Sequence, residues 1–155
     1  MRGEIAKRNF MSGMNCSQSV LLAFSDLTGL DEATALKMAA PFGGGVGRMR
    51  EVCGTVSGMC MVLGMLYYDP KQITVSEKSS LYAREQEVAR RFREKNGSIV
   101  CRELLSGVRT DSVPQAEERT KEYYKKRPCA DLCSDAAEIL EEYLKEQGVL
   151  AEAEQ

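Results

Sequence analysis

Apolar residues along this chain recur at spacings of three and four, and no stretch alternates strictly between apolar and polar side chains within hairpin turns. That period lays an apolar stripe along one side of a helix, so the pattern predicts an all-α fold. A short helix is expected over residues 3–11. A second begins after the N-cap candidate Asn15, carries Val20, Leu21, Phe24 and Leu27, and stops at Gly29. Asp31 caps a third, which ends before Pro41. The glycine-rich stretch FGGGVGRMR leads into a buried central helix over residues 53–68, which Asp69-Pro70 breaks. An amphipathic helix over residues 77–95 ends at Asn96-Gly97, and a short helix around residues 98–105 follows. The segment VRTDSVP is the expected flexible loop, Pro114 opens a charged helix reaching Lys126, and Pro128 sits at the start of a last helix over residues 129–147. The expectation is a single compact helical domain of about six to eight helices over residues 1–150, with a polar tail at 151–155 and no internal repeat.

The central helix contains Gly54, Gly58 and Gly64, each costing about 1 kcal/mol against alanine in a helix interior. Something must approach that backbone closely, either a neighbouring helix or, in a homodimer, a second copy. Its most apolar part, residues 59–68, is half of the roughly 20 residues that cross a bilayer, so no membrane span is predicted. The opening MRGEIAKRNF is charged throughout and lacks the apolar segment of a secretory signal, which places the expected location in the cytoplasm. A net charge of −2 and a pI of about 5.4 supply no basic field for nucleic acid, although residues 121–127 are locally basic. The composition points to a small-molecule or protein partner.

Six cysteines and no histidine confine the candidate chemistry. Catalytic triads with a histidine base, Cys/His zinc sites and CxxCH haem attachment are excluded. Thiol–disulfide exchange, all-cysteine ligation of zinc or an iron–sulfur cluster, and plain core packing are left. A chain of 155 residues buries enough core to fold without disulfides, and in a reducing cytosol a disulfide would be transient. Cys16, Cys53 and Cys129 fall in predicted first helical turns, where unpaired N–H groups favour the thiolate. Cys60, flanked by Met59 and Met61, reads as packing. Cys133 lies one turn beyond Cys129. Cβ atoms so placed are about 5–6 Å apart, too far for a disulfide within an intact helix but bridgeable by a metal.

The glycine loop offers a second candidate site. Gly43, Gly44, Gly45 and Gly47, with Arg48 and Arg50, form the kind of N–H-rich turn that holds anions. Neither GxxxxGK[ST] nor a strand-borne GxGxxG is present, so the alternative is a tight turn that lets two helices meet beside Cys53.

The residues NCSQSVL with Cys16, FGGGVGRMREVCGTVSG with Cys53, CRELL with Cys101 and PCADLCSDAAEILEEYL with Cys129 resemble the redox-active protein family named for its pattern C_GCAxxG_C_C. The resemblance spans about residues 10–145. The family's central motif has alanine where this chain has Thr55, whose hydroxyl can bond to a neighbouring sulfur or to the preceding helical turn. Cys60 and Cys133 are additional to the pattern. The family is similar to a helical domain also found in split-Soret cytochromes, which implies electron-transfer surroundings; without histidine, haem binding is not carried over.

The leading expectation is a cytosolic redox-active protein that requires no cofactor and uses clustered cysteines for thiol–disulfide or electron-transfer chemistry, with Cys16, Cys53, Cys101 and Cys129 converging on one cleft; whether it is an enzyme, a thiol–disulfide oxidoreductase, is left open. Cys53 is the expected attacking thiolate, oriented by Thr55 and the glycine loop, toward a small-molecule or protein redox partner. A second expectation gives the same four cysteines, with Cys133 as a further ligand, to zinc or an iron–sulfur cluster. A third is a helical interaction module in which the cysteines only pack.

Overall fold

In a computed structural model that describes residues 1–152, the chain forms nine α-helices: α1 (Arg2–Met11), α2 (Cys16–Leu22), α3 (Ser25–Thr28), α4 (Glu32–Ala39), α5 (Gly54–Tyr67), α6 (Val75–Asn96), α7 (Cys101–Leu104), α8 (Lys121–Lys126) and α9 (Cys129–Glu146). The fold is all-α, and α3 and α7 are single turns. Among the described residues the only extended pairing is one antiparallel bridge between Val52 and Val100. No helix there is long and apolar enough to cross a membrane. The tail expected at 151–155 falls partly outside the described residues.

Helix starts follow local capping chemistry. Asn15 accepts from the Gln18 N–H while the Gln18 side chain accepts from the Asn15 N–H, both at 3.0 Å, so two otherwise unpaired donors at the start of α2 are satisfied. Asp31 caps α4 through the Thr34 N–H at 3.0 Å. Gly97 closes α6 in the left-handed region at φ 90°.

The core forms around α5, which touches α2, α3, α6 and α9, while α1 lies along α9. On α9, Leu132, Cys133, Ala136, Ala137, Leu140, Tyr143 and Leu144 are buried along one stripe, as helical spacing requires. Phe10, Phe24, Phe92, Met59 and Leu63 close the interior around them.

Two of the three central glycines are explained by the crossing of α2 and α5. A Cβ on Gly54 would stand 2.9 Å from the Phe42 carbonyl oxygen and 3.1 Å from Cys16 Cβ. One on Gly58 would stand 2.9 Å from Val20 Cβ and 3.0 Å from the Ser17 carbonyl oxygen. The close approach is therefore within the chain. A Cβ on Gly64 would meet nothing within 4 Å, and that residue borders an apolar surface recess with Met38, Met61 and Met65.

Three helices are shorter than their patterns predict: α7 covers only Cys101–Leu104, and two longer ones are cut back by tertiary contacts. The helix expected to run from Asn15 to Gly29 breaks at Ala23 and Phe24 and restarts as α3. Arg2 takes the freed Ala23 carbonyl at 2.8 Å and sets its guanidinium 4.8 Å from the Phe24 ring centre, so the break is held by tertiary contacts. The charged helix expected from Pro114 is present only as α8. Arg50 Nε takes the Asp111 carbonyl at 2.9 Å, and Arg48 Nη1 takes the carbonyls of Val113 and Gln115. Carbonyls held by distant arginines are unavailable to a helix, which leaves the segment irregular until Thr120 caps α8.

The crossing predicts opposite effects for one substitution at two glycines. Gly58→Ala is expected to destabilise the protein by about 1–3 kcal/mol through overpacking. Gly64→Ala is expected to stabilise it by up to about 1 kcal/mol through helix propensity. Thermal melting reads both, at roughly 2–4 °C per kcal/mol for a chain of this size.

Candidate functional site

Four cysteines stand at helix starts. Cys16, Cys101 and Cys129 are the first residues of α2, α7 and α9, and Cys53 occupies the cap position before α5. Cys101 joins this set because its helix begins at residue 101, several residues later than its pattern predicts. The Val52–Val100 bridge sets the register of two of the four. The Cys53 N–H donates to the Ile99 carbonyl at 2.8 Å, and the Cys101 N–H donates to the Glu51 carbonyl at 2.6 Å. A pairing one residue long leaves no periodic trace; the β-branched pair Val52 and Val100 is its only mark in the sequence.

The glycine loop makes room for sulfur. A Cβ on Gly45, at φ 68°, would lie 2.6 Å from Cys101 Cβ, so any larger residue there would displace Cys101. The loop keeps left-handed backbone through non-glycine positions as well, at Val46, Arg48 and Arg50 with φ of 65°, 64° and 59°. Such positions cost of order 1–3 kcal/mol each and persist where surrounding contacts over-determine them. The Arg50 and Glu51 N–H groups supply such contacts by turning back onto the Gly44 and Gly45 carbonyls. Of the four glycine N–H groups expected to face an anion, those of Gly43 and Gly47 are spent on the Ala40 and Pro41 carbonyls. Those of Gly44 and Gly45 make no hydrogen bond among the described residues.

Cys16, Cys53, Cys101 and Cys129 line one cavity of about 50 Å³, together with Gly44 and Gly45. That is room for only one or two water-sized groups. All six cysteines are free thiols. Thr55 Oγ1 lies 3.0 Å from Cys53 Sγ, and Arg50 Nη1 lies 3.8 Å from Cys101 Sγ. Cys133 is fully buried and adjoins Cys16, whereas Cys60 sits elsewhere on α5 beside Glu85. Among the described residues, no three cysteine, aspartate or glutamate side chains are grouped so as to hold a metal ion.

Burial reverses the effect expected of the helix ends. Loss of water pushes the Cys53 thiol up to about 11, against the pull of its hydrogen bonds to the Thr55 side chain and backbone. Burial also raises Cys101, and Arg50 opposes it. Cys129 is driven far up by its hydrogen bond to Cys16 and then by burial. For Cys16 the bond with Cys129 pulls down, but Cys133 and burial together carry it well above the ordinary thiol range. These sulfurs rest as protonated thiols at neutral pH. Cys60 is likewise pushed up to about 12 by burial and then by Glu85. Three arginines line the cavity with the cysteines: Arg50, which the glycine loop points to, and Arg119 and Arg127, which sequence reasoning did not place at the site. For Arg127 the sequence signal is the local basic run at 121–127; Arg119 lies just before it.

The family described as "Putative redox-active protein (C_GCAxxG_C_C)" matches residues 14–143, and the chain belongs to it. Its function is accordingly redox-related. No curated protein and no solved structure matches the chain.

The Cys53 thiol, at about 11 in the fold against an ordinary 9.0, binds its proton more tightly when folded. Its contribution to stability is complete below pH 9 and is lost as pH rises through 11. The melting temperature of the reduced protein is expected to fall over that interval, and to fall less steeply in Cys53→Ala.

Proposed function

We propose that this chain is a cytoplasmic thiol–disulfide redox protein in which Cys16, Cys53, Cys101 and Cys129 exchange electrons with a disulfide substrate. The observation that carries the reading is the convergence of all four cysteines on one cavity. Cys101 is the attacking sulfur in place of Cys53, because Arg50 stands 3.8 Å from it and stabilises the thiolate as its proton leaves to water. Cys53 is held instead by a neutral hydroxyl.

Attack on a substrate disulfide forms a mixed disulfide and expels one substrate thiolate, which takes up a proton. Cys129 resolves the intermediate, since it lines the same cavity as Cys101 and its sulfur is hydrogen-bonded with that of Cys16. Its thiolate attacks Cys101 Sγ, a Cys101–Cys129 disulfide forms, and the second substrate thiol departs with the proton that Cys129 gave up. The substrate gains two electrons and the protein loses two. An external dithiol returns the pair to the reduced state. Thr55 and the glycine loop position Cys53 and Cys101 for onward exchange. A Cys101–Cys129 bond would constrain the unfolded chain by about 3–4 kcal/mol in a loop-entropy model, so oxidation also stiffens the protein.

The test is a thiol and metal count on anaerobically purified protein, before and after treatment with a disulfide and then a dithiol. Two or four thiols lost and recovered, with Cys101→Ser abolishing the loss, Cys129→Ser trapping a mixed disulfide and Cys60→Ser leaving the cycle intact, is the expected result. Stoichiometric iron or zinc would instead make the same four cysteines ligands, with Cys133 as a further donor. Six thiols that remain unreactive would leave packing as their role.

A further inference from the structure

Next to the sulfur cavity is a second, more open one of about 440 Å³, a size suited to a small molecule. Asn15, Gly44, Arg50, Arg119, Tyr123 and Arg127 line both, so this vestibule and the sulfurs are separated by a single layer of side chains. Arg48 adds a fourth guanidinium on the outer side.

The charges in this wall do not balance. Glu117 is the one carboxylate lining the vestibule, and it serves two arginines, Arg127 through both oxygens at 2.8 Å and Arg48 at 3.0 Å. Asp111 lies 3.4 Å from Arg48. Arg50 and Arg119 meet no carboxylate among the described residues. Arg50 is 7% exposed and, among the described residues, has only the Asp111 carbonyl and the Cys101 sulfur as partners. Arg119 donates to the Phe10 and Met14 carbonyls at 3.2 and 3.1 Å, with its guanidinium 4.2 and 4.9 Å from the Phe10 and Tyr123 ring centres. A guanidinium withdrawn from water is stabilised most by an oxyanion, which it can bind through two parallel hydrogen bonds.

Segment 108–120 drapes over this wall and satisfies it in part from within the chain. Carbonyl oxygens of Val113 and Gln115 and the Glu117 carboxylate accept from Arg48, and the Asp111 carbonyl accepts from Arg50.

We propose that the vestibule selects the substrate: a low-molecular-weight disulfide bearing oxyanion groups, carboxylate or phosphate, whose charge is held by Arg50 and Arg119 while its sulfurs reach Cys101, with Glu117 as an internal competitor. This rests on the thiol–disulfide reading for the chemistry, but the anion site is independent of sulfur.

The deciding experiment separates the two. Calorimetry follows binding of S-methylglutathione, a redox-inert carboxylate, to the reduced protein and to a variant with Cys16, Cys53, Cys101 and Cys129 all changed to serine. Binding to both, weakened by salt, is expected. Arg119→Gln should weaken it by about tenfold or more, and Arg119→Lys should retain most of it. Glu117→Gln should tighten it about two- to fivefold by removing the one negative charge that lines the vestibule. Opposite shifts from two neutralising substitutions cannot arise from a general loss of fold. Inorganic phosphate binding in place of S-methylglutathione would support the site and assign it to phosphate. No binding of either anion, with neutral and anionic disulfides reduced at equal rates, would overturn the inference and leave the redox reading standing. Binding without any thiol loss would do the reverse.

Discussion

The contact between α2 and α5 is the constraint from which the rest of the molecule follows. Gly54 and Gly58 present bare backbone to Ser17 and Val20, and the missing side chains let the two helices touch main chain to main chain. A methyl group at either position would push the helices apart by a few tenths of an ångström or more. That distance is small, but packed interiors transmit it, since they have few voids to absorb a shift. At the end of this crossing the start of α2 meets the start of α5, which is why Cys16 Cβ lies beside Gly54 and why Cys53 can share a cavity with Cys16. The α9 helix then brings Cys129 to the same point by burying its apolar stripe against the same pair.

A second device of the same kind works from the other side. Gly45 accommodates Cys101, and the Val52–Val100 bridge fixes the height at which Cys101 enters. The loop between them tolerates left-handed backbone at Val46, Arg48 and Arg50, conformations that local preference disfavours and that its contacts with α7 and segment 108–120 maintain. Strain of this sort is found where a site must be shaped against the chain's own inclination. Here it turns Arg50 inward, where it is buried between Asp111 and Cys101.

The chemistry of the site is a contest between dehydration and charge. Four helix starts each favour a thiolate, yet the cavity is so small that the lost hydration outweighs them and the thiols hold their protons. Arg50, Arg119 and Arg127 are the counterweight, and they act most on Cys101 and Cys129. A sulfur in such surroundings is quiet until an adjacent charge, a shift in the segment over the arginines, or an incoming reactant alters the balance.

Much of this was legible in the residues. The three- and four-residue apolar spacing gave the helical class, Asn15 and Asp31 marked two helix starts, and the glycines of the central helix announced a close neighbour. The order of the cysteine motifs identified the family, because each motif is local and carries its own neighbours. What lay beyond the sequence were relations between distant segments. Nothing near Phe24 foretells that Arg2 will hold the break between α2 and α3, nor anything near Pro114 that Arg48 and Arg50 will take its neighbours' carbonyls and prevent a helix. Nor could spacing give the protonation of the thiols, since the helix-end effect is local whereas burial is a property of the assembled core. The sequence by itself determined the helices, their caps and which residues could do chemistry. The tertiary structure alone decided which glycine faces which helix, how far the sulfurs are from water, and which arginines stand unpaired beside them, because each depends on segments tens of residues apart meeting at one place.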